Sequence, residues 1–238
     1  MRSVIFGASS DIGIATCAKY LEMGWDVIAV YRSERKNLFD LRQISPSRIE
    51  FIQHTYSGAD SLKNHLEENV SFYRLCDAVV NCVGIANPKK YEDILESDVL
   101  EHIRINTIPN IILTQFFSNF MLERAWGRFV YISSIGVKFS GGVENYCYSM
   151  SKLLTEFFPS VAKKDWAREN VFVNAVRAGY IDTRFHSQFK TKSPSERISM
   201  IPAKRAGKAT EVAEAVFFLG SERNTFTTCE ILTVAGGE

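Results

Sequence analysis

The sequence predicts an α/β protein in which a doubly wound parallel sheet of about seven strands carries helices on both faces. Short runs rich in β-branched residues alternate with longer segments of helical periodicity along the whole chain. The 238 residues are enough to bury one large core. Because no repeat, low-complexity tract or linker divides the chain, we expect residues 1–238 to form a single domain.

Strands are expected where apolar runs are bounded by turn-forming residues. These runs are residues 4–6, 26–31, 50–53, 78–81, 128–133, 171–176 and 231–234. Between the first two, Ile14, Ala18 and Leu21 recur with a spacing that places them on one helix face. The same reasoning predicts further helices at residues 61–70, 98–125, 146–168 and 210–219.

Residues 184–205 interrupt this alternation. The stretch is polar, contains Pro194 and Pro202, and shows no sustained period, which predicts a loop that covers the substrate. It carries basic side chains that are either solvated or available to an anionic substrate: His186, Lys190, Lys192 and Arg197.

Charge and composition argue against several classes of partner. The formal net charge of +1 gives no field that favours nucleic acid. No segment approaches the roughly 20 apolar residues of a membrane span, and the apolar N-terminal run is too short for a secretory signal. The five cysteines are scattered without a C-x-x-C pair. We therefore expect a cytoplasmic protein with a small-molecule substrate and no metal, membrane or nucleic-acid partner.

A glycine-containing turn, residues 7–13, connects the first strand to the first helix. Gly7 permits a tight turn, Gly13 permits close approach of helix and backbone, and the N–H groups of the helix could hold a diphosphate. Asp11 would repel a diphosphate unless it caps the helix or turns its oxygens toward backbone N–H groups. Two glycines alone are also compatible with a plain connecting turn.

Tyr148 and Lys152 are four residues apart, so on a helix both lie on one face. An ammonium beside a phenol favours the phenolate, which predicts a lowered pKa for Tyr148 and a role in acid–base chemistry. Tyr146 is the rival candidate, but it would point to another side of the helix. A Tyr/Lys pair at this spacing also arises from packing alone.

The order of motifs supplies independent support. A glycine-rich turn, an Asn-x-x-Gly at 81–84, a serine at 134 and a Tyr-x-x-x-Lys at 148–152 follow one another. This order resembles the short-chain dehydrogenase/reductase family, in particular members similar to 3-oxoacyl carrier-protein reductases. The likeness extends from Val4 to Gly237, with Phe6 and Asp11 in place of the family's threonine and middle glycine. It implies a Rossmann fold and a nicotinamide-dependent oxidoreductase acting on a CH-OH or carbonyl group.

The resemblance also assigns catalytic roles. In the family, the serine matching Ser134 hydrogen-bonds the substrate oxygen and stabilises its developing charge, with Ser133 as the fallback here. The asparagine matching Asn106 holds a water for proton relay. The lysine matching Lys152 grips the nicotinamide ribose while the tyrosine matching Tyr148 exchanges the proton.

The same motifs imply the cofactor contacts. Residues 173–183 resemble the family segment that holds the nicotinamide amide, with Ala178 in place of a proline. The expected cofactor-binding residues are Gly7, Ser9, Ser10, Asp11, Ile12, Gly13, Tyr31, Arg32, Ser33, Thr55, Tyr56, Asn81, Cys82, Val83, Gly84, Tyr148, Lys152, Ala178, Gly179, Ile181 and Thr183.

Arg32 and Ser33 follow the second strand, where an acidic residue would favour NAD(H). A guanidinium and a hydroxyl suit a 2′-phosphate, so NADP(H) is the favoured cofactor over NAD(H). Glu34 opposes this choice, because a nearby carboxylate would repel the phosphate. The alternative interpretation of Arg32 is a solvated surface side chain. Thr55 stands where the family commonly has an aspartate that touches adenine.

Other functions remain open at this stage. A non-catalytic NADP(H)-binding sensor is favoured by Asp11, Thr55 and Ala178. A sugar-nucleotide epimerase or dehydratase uses a similar Tyr/Lys pair, but we expect an extra C-terminal region in that class. Family members usually pair long helices about two-fold axes, so a homodimer or homotetramer is expected. The apolar residues that suggest such pairing are Ile111, Ile112, Phe116, Phe117, Phe157 and Phe158.

Overall fold

Seven strands form one parallel sheet in the computed structural model, which describes residues 1–185 and 193–238. The strands are β1 (Arg2–Phe6), β2 (Asp26–Tyr31), β3 (Ile49–Gln53), β4 (Ala78–Asn81), β5 (Gly127–Ser134), β6 (Val171–Ala178) and β7 (Ile231–Val234). Their order is β3-β2-β1-β4-β5-β6-β7, and every neighbouring pair is parallel. The predicted doubly wound sheet is confirmed.

Helices cover both faces of this sheet. In the described residues they are α1 (Asp11–Glu22), α2 (Lys36–Phe39), α3 (Ala59–Glu68), α4 (Val70–Tyr73), α5 (Glu96–Asn106), α6 (Ile108–Glu123), α7 (Tyr146–Thr155), α8 (Ser160–Lys164), α9 (Pro194–Met200) and α10 (Ala209–Gly220). Short 3-10 helices occupy Asp40–Gln43, Tyr91–Asp93, Ile135–Phe139 and Trp166–Glu169. None of the described helices is both long and apolar enough to cross a bilayer.

Two apolar layers result from the alternation of side chains along the strands. On one face, α1 and α10 bring Tyr20 and Phe217 together with ring centroids 5.0 Å apart. On the other face, α3 and α6 bury Leu66 and Phe117. In β1, Ile5 belongs to the first layer, whereas its neighbours on either side belong to the second.

The segment predicted as one helix over 98–125 is two helices, α5 and α6, separated at Thr107. Pro109 lies in the first turn of α6 and cannot donate to a carbonyl one turn earlier. The Thr107 hydroxyl donates to the Ser151 carbonyl at 3.0 Å. The break therefore anchors the end of α5 to α7.

The segment predicted as one helix over 146–168 is also interrupted, because α7 ends at Thr155 and α8 begins at Ser160. Pro159 immediately precedes α8, and the residue before a proline is disfavoured in the helical region. Glu156, at the end of α7, turns its carboxylate toward Ser133 in β5 and Arg177 in β6.

The expected loop at 184–205 contains a helix that the sequence analysis missed. Ser193 caps α9 by accepting from the Glu196 N–H at 3.2 Å, and the Glu196 carboxylate accepts from the Ser193 N–H at 2.9 Å. Pro194 occupies the first helical turn, where proline is well tolerated. The proline read as a loop signal is thus a helix-start signal. His186, Lys190 and Lys192 lie outside the described residues.

Candidate active site

A cavity of about 1560 Å³ opens at the carboxyl ends of the strands, where the strand order reverses between β1 and β4. Ligands of open α/β sheets bind at this position. Most residues expected in the site line the cavity: Gly7, Ser9, Ser10, Asp11, Ile12, Tyr31, Arg32, Ser33, Tyr56, Asn81, Cys82, Val83, Gly84, Ser134, Tyr148, Lys152, Ala178, Gly179, Ile181 and Thr183.

Three expected site residues do not line it. Gly13 packs behind the turn, where a Cβ would lie 2.9 Å from the Ser10 Oγ. Thr55 is exposed, while its neighbour His54 lines the cavity instead. Asn106 is buried behind the wall. Thr55 thus matches the motif by position, but its side chain is not part of the cavity wall.

The turn after β1 is shaped by two backbone features. Gly7 has φ of +73°, and a Cβ there would lie 2.7 Å from the Val83 nitrogen in the turn after β4. Ser10 caps α1, since its Oγ accepts from the Gly13 N–H at 2.9 Å. The cap is therefore Ser10 and not Asp11. The first turn of α1 faces the cavity with the N–H groups that an α-helix leaves unpaired, which fits a diphosphate.

Asp11, which the sequence left as an electrostatic difficulty, is neutralised by two arginines. Its Oδ1 accepts from Arg35 Nη1 at 2.7 Å, and its Oδ2 accepts from the backbone N–H of Arg184 at 2.8 Å. Burial acts to raise the pKa of Asp11, but these hydrogen bonds and both guanidinium charges hold it below its usual value. The carboxylate is thus turned toward an N–H group and balanced by cations, as a nearby diphosphate requires.

Arg35 is a site residue that the sequence analysis missed. It lies in the cavity wall with Arg32, Ser33 and Glu34 and also donates to the Ser9 carbonyl at 3.0 Å. A second arginine three positions after Arg32 was the available signal. Because Arg35 is already paired with Asp11, the groups of this wall that fit a 2′-phosphate are the Arg32 guanidinium and the Ser33 hydroxyl.

Tyr148 and Ser134 both line the cavity. Ser134 ends β5 and α7 presents Tyr148, and Ser134 is near enough to the phenol to act on its pKa. The Gly136 N–H donates to the Ser134 Oγ at 3.1 Å. Tyr146 packs its ring against Tyr91 with centroids 5.1 Å apart and does not line the cavity. The geometry thus favours Tyr148 over Tyr146.

The predicted lowering of the Tyr148 pKa is wrong for this arrangement. Burial raises the pKa of Tyr148 to about 12, although the Ser134 hydrogen bond acts in the opposite direction. Lys152 Nζ lies 5.9 Å from the phenol ring centroid and donates to the Ile132 carbonyl at 2.8 Å. Burial also lowers the pKa of Lys152 to about 8. Desolvation therefore outweighs the attraction that the helix spacing suggested.

Asn106 acts on the backbone of the cavity wall. Its Oδ1 accepts from the Ile85 N–H at 2.8 Å, and its Nδ2 donates to the Ile85 carbonyl at 3.0 Å and to Ser151 Oγ at 2.8 Å. Asn81 similarly accepts from the Val83 N–H at 3.0 Å. The two asparagines hold the turn after β4, which brings Gly84 against Lys152.

The segment after β6 forms the opposite wall. Gly179 donates to the Val234 carbonyl at 2.9 Å, and a Cβ there would lie 2.6 Å from Ala235 Cα. Ile181 is buried, and the Thr183 hydroxyl donates to the Ile181 carbonyl at 3.2 Å. Gly179 therefore allows close packing on the residues after β7 although Ala178 replaces the proline.

These features define a doubly wound α/β protein with a large cavity at the switch point of its sheet, where such folds bind dinucleotides. Comparison with known proteins identifies the group more closely. Residues 7–238 match the family described as "Enoyl-(Acyl carrier protein) reductase". The chain therefore belongs to this family of short-chain dehydrogenases/reductases and is an NAD(P)-dependent oxidoreductase acting on a CH-OH or carbonyl group. The expected family is confirmed.

Individual relatives agree with this membership. The chain is 28% identical to the 3-oxoacyl-[acyl-carrier-protein] reductase FabG of Thermotoga maritima, over 98% of this chain and 96% of the relative. It is 29% identical to the FabG of Aquifex aeolicus, over 99% and 96%. A solved structure from Beutenbergia cavernae, provisionally assigned as an NAD(P)-dependent gluconate 5-dehydrogenase with NADP at low occupancy, has a TM-score of 0.88 and 27% identity over 99% of this chain and 95% of that one.

Proposed function

We propose that this protein is an NADPH-dependent reductase of a carbonyl substrate, with Tyr148 as the general acid. The observation that carries the proposal is that Ser134, Tyr148 and Lys152 line the same cavity as the Gly7 turn. NADPH supplies the hydride when bound. The expected use of NADP(H) agrees with the relatives above and with the arginines after β2.

The protonation state of Tyr148 suits the general-acid step of a reduction. With a pKa of about 12, the phenol carries its proton at neutral pH and can donate it to a substrate oxygen. Ser134 would hold that oxygen and stabilise its charge. Lys152, buried beside Gly84, would hold hydroxyl groups of the cofactor, as the family resemblance implies. Asn106 would act through the turn that it holds at Ile85.

The test is NADPH oxidation against a panel of aldehydes and ketones, with Tyr148→Phe and Tyr146→Phe compared. Loss of a positioned proton donor costs roughly a hundredfold or more in kcat. We expect that loss for Tyr148→Phe and nearly wild-type turnover for Tyr146→Phe, a matched tyrosine outside the cavity. Equal turnover of the wild type and Tyr148→Phe would reject the assignment.

A non-catalytic cofactor sensor is the alternative, and Asp11 was one of the three residues that favoured it. The pairing of Asp11 with Arg35 removes the predicted clash with a diphosphate. The same assay separates the two functions, because a sensor would bind NADPH without any turnover that depends on Tyr148.

We further propose that two or four copies assemble through α5, α6 and α7. Of the six apolar residues expected to suggest this, Ile112, Phe117 and Phe158 are in the core, Phe116 is half-buried, and Ile111 and Phe157 are exposed. Three further apolar side chains are exposed, Leu100 on α5 and Leu153 and Leu154 on α7.

The assembly can be measured by light scattering after gel filtration. Ile111→Glu should shift the protein toward a single-chain mass, because a buried charge opposes association. Phe72→Glu, on α4, is the matched control and should leave the mass unchanged. A single-chain mass for the wild type at micromolar concentration would contradict the proposal.

A further inference from the structure

The cavity extends past Tyr148 to an apolar region, which we call the substrate end and which Phe139, Val143 and Phe185 line. The ring centroid of Phe185 lies 5.4 Å from that of Tyr148. Ile135, which follows β5, is buried in the same wall, whereas Phe139 and Val143 are exposed. Apolar side chains around a proton donor suit the hydrocarbon part of a substrate.

A guanidinium and a carboxylate are paired in the wall of the same cavity. Arg197, on α9, and Glu238 both line it, and Arg197 Nη2 lies 2.6 Å from Glu238 Oε1 and donates to Glu238 Oε2 at 2.8 Å. The Glu238 side chain is only 6% exposed and that of Arg197 21%, so water and salt screen this pair little. The guanidinium also lies 5.5 Å from the ring centroid of Tyr180. Arg197, which the sequence left as either solvated or available to an anionic substrate, is thus already paired.

The other described charges near the substrate end do not favour an anion either. Arg184 also lines the cavity, and its Nε lies 3.5 Å from the carboxylate of Asp11. Glu144, next to Val143 in the chain, adds a further carboxylate to the wall. A negatively charged group on the substrate would lose hydration here and meet carboxylates or arginines that are already neutralised. An uncharged substrate avoids this cost.

We propose that Glu238 selects against negatively charged substrates by neutralising Arg197, so that this protein reduces an uncharged carbonyl compound with an apolar or aromatic group. The proposal rests on the proposed function and assigns the class of its substrate. The apolar group would lie against Phe185, with the carbonyl oxygen at Ser134 and Tyr148. The carbonyl carbon takes hydride from NADPH and its oxygen takes the proton of Tyr148, which gives an alcohol and NADP⁺. Glu238 acts through Arg197 and determines specificity without taking part in this step.

The experiment compares para-carboxybenzaldehyde with its uncharged methyl ester, two probes with the same ring and aldehyde. Their dissociation constants are measured by calorimetry in the presence of NADP⁺, which has no hydride to give, so both bind without reaction. The variants are Glu238→Ala, Glu238→Gln, which removes the charge and keeps the packing, and the double variant Glu238→Ala with Arg197→Met. Glu211→Ala is the matched control, because Glu211 pairs with Arg205 and does not line this cavity.

We expect the wild type to bind the ester about tenfold or more tightly than the acid, because the desolvated carboxylate finds no unpaired cation. Glu238→Ala opens space for that carboxylate beside the guanidinium, so it should shift this ratio toward the acid by about tenfold or more, the value of one charge-assisted hydrogen bond. Glu238→Gln should shift it in the same direction by less. The double variant should lose the gain, and Glu211→Ala should keep the wild-type ratio.

A wild-type ratio in both Glu238 variants would overturn the role of Glu238. An equal loss of affinity for both probes would overturn it too, because the ion pair would then only hold α9 in place. Binding of the acid as tightly as the ester by the wild type, or of neither probe, would overturn the substrate class. Absence of any Tyr148-dependent oxidation of NADPH by the bound ester would instead refute the proposed function, since the selection by charge is measured without turnover.

Discussion

Glu156 forms a buried ion pair behind the candidate active site, and its removal is the most informative test of the energetics. Its carboxylate accepts from Arg177 Nε at 2.8 Å, from Arg177 Nη2 at 2.5 Å and from Ser133 Oγ at 2.6 Å. The Glu156 side chain is only 4% exposed and that of Arg177 15%. The Glu156 carboxylate thus connects the end of α7, which carries Tyr148, to Arg177 in β6 and to Ser133 in β5, the strand that ends at Ser134.

The magnitude follows from what each substitution leaves behind. Glu156→Ala leaves the Arg177 guanidinium buried without its carboxylate, which costs about 3–5 kcal/mol of unfolding free energy. The double variant Glu156→Leu with Arg177→Met removes both charges and keeps the volume, so it should lie within about 1 kcal/mol of the wild type. In a chain of this length, the loss in Glu156→Ala corresponds to a fall in Tm of roughly 10 °C.

Urea unfolding followed by circular dichroism measures these differences directly. Glu156→Gln is a useful third variant, because it keeps a hydrogen-bond acceptor while removing the charge, and it should fall between the wild type and Glu156→Ala. A loss below about 1 kcal/mol for Glu156→Ala would refute the reasoning. A double variant as unstable as the single one would show that packing, and not the unpaired charge, sets the cost.

Three further predictions concern the cofactor site. Arg32→Asp should reverse the preference from NADPH to NADH in a binding titration, and an unchanged preference would exclude Arg32 from phosphate recognition. Gly7→Ala should abolish measurable NADPH binding, because its Cβ would lie 2.7 Å from the Val83 nitrogen at φ of +73°. Gly142→Ala is the control and should bind NADPH normally, because Gly142 also has a positive φ but has open space where its Cβ would lie. Lys152→Met should be more stable than the wild type at pH 7. Above pH 8, Lys152 of the folded wild type, with a pKa of about 8, releases its proton while the unfolded chain keeps it, so the wild type gains stability as the pH rises. The stability advantage of Lys152→Met, measured by urea unfolding, should therefore shrink by up to about 1.4 kcal/mol per pH unit. A constant advantage between pH 7 and 9.5 would show that Lys152 is not desolvated.

The strands were predictable because they depend on local composition. Each of the seven predicted runs overlaps an observed strand, and those at 26–31, 78–81 and 231–234 coincide with β2, β4 and β7. The long helices were predicted less well, because the breaks beside Pro109 and Pro159 were not recognised. Hydrophobic periodicity continues across such breaks and does not reveal them.

In the candidate site, the motif order brought Ser134, Tyr148 and Lys152 to one cavity as expected. The electrostatics were not predictable in the same way. The Tyr148 pKa depends on how much water the surrounding elements exclude, which helix spacing does not report. Burial, and not the neighbouring ammonium, sets its direction.

The sequence by itself determined the order of strands and helices, the position of the glycine turn and the family of the protein, because these are written in short-range patterns. Only the tertiary structure decided that Arg35 and Arg184 neutralise Asp11, and that His54 and not Thr55 lines the cavity. Asp11 and Arg184 are 173 positions apart in the chain. Charge, burial and side-chain direction depend on such distant neighbours, which meet only when the sheet has formed.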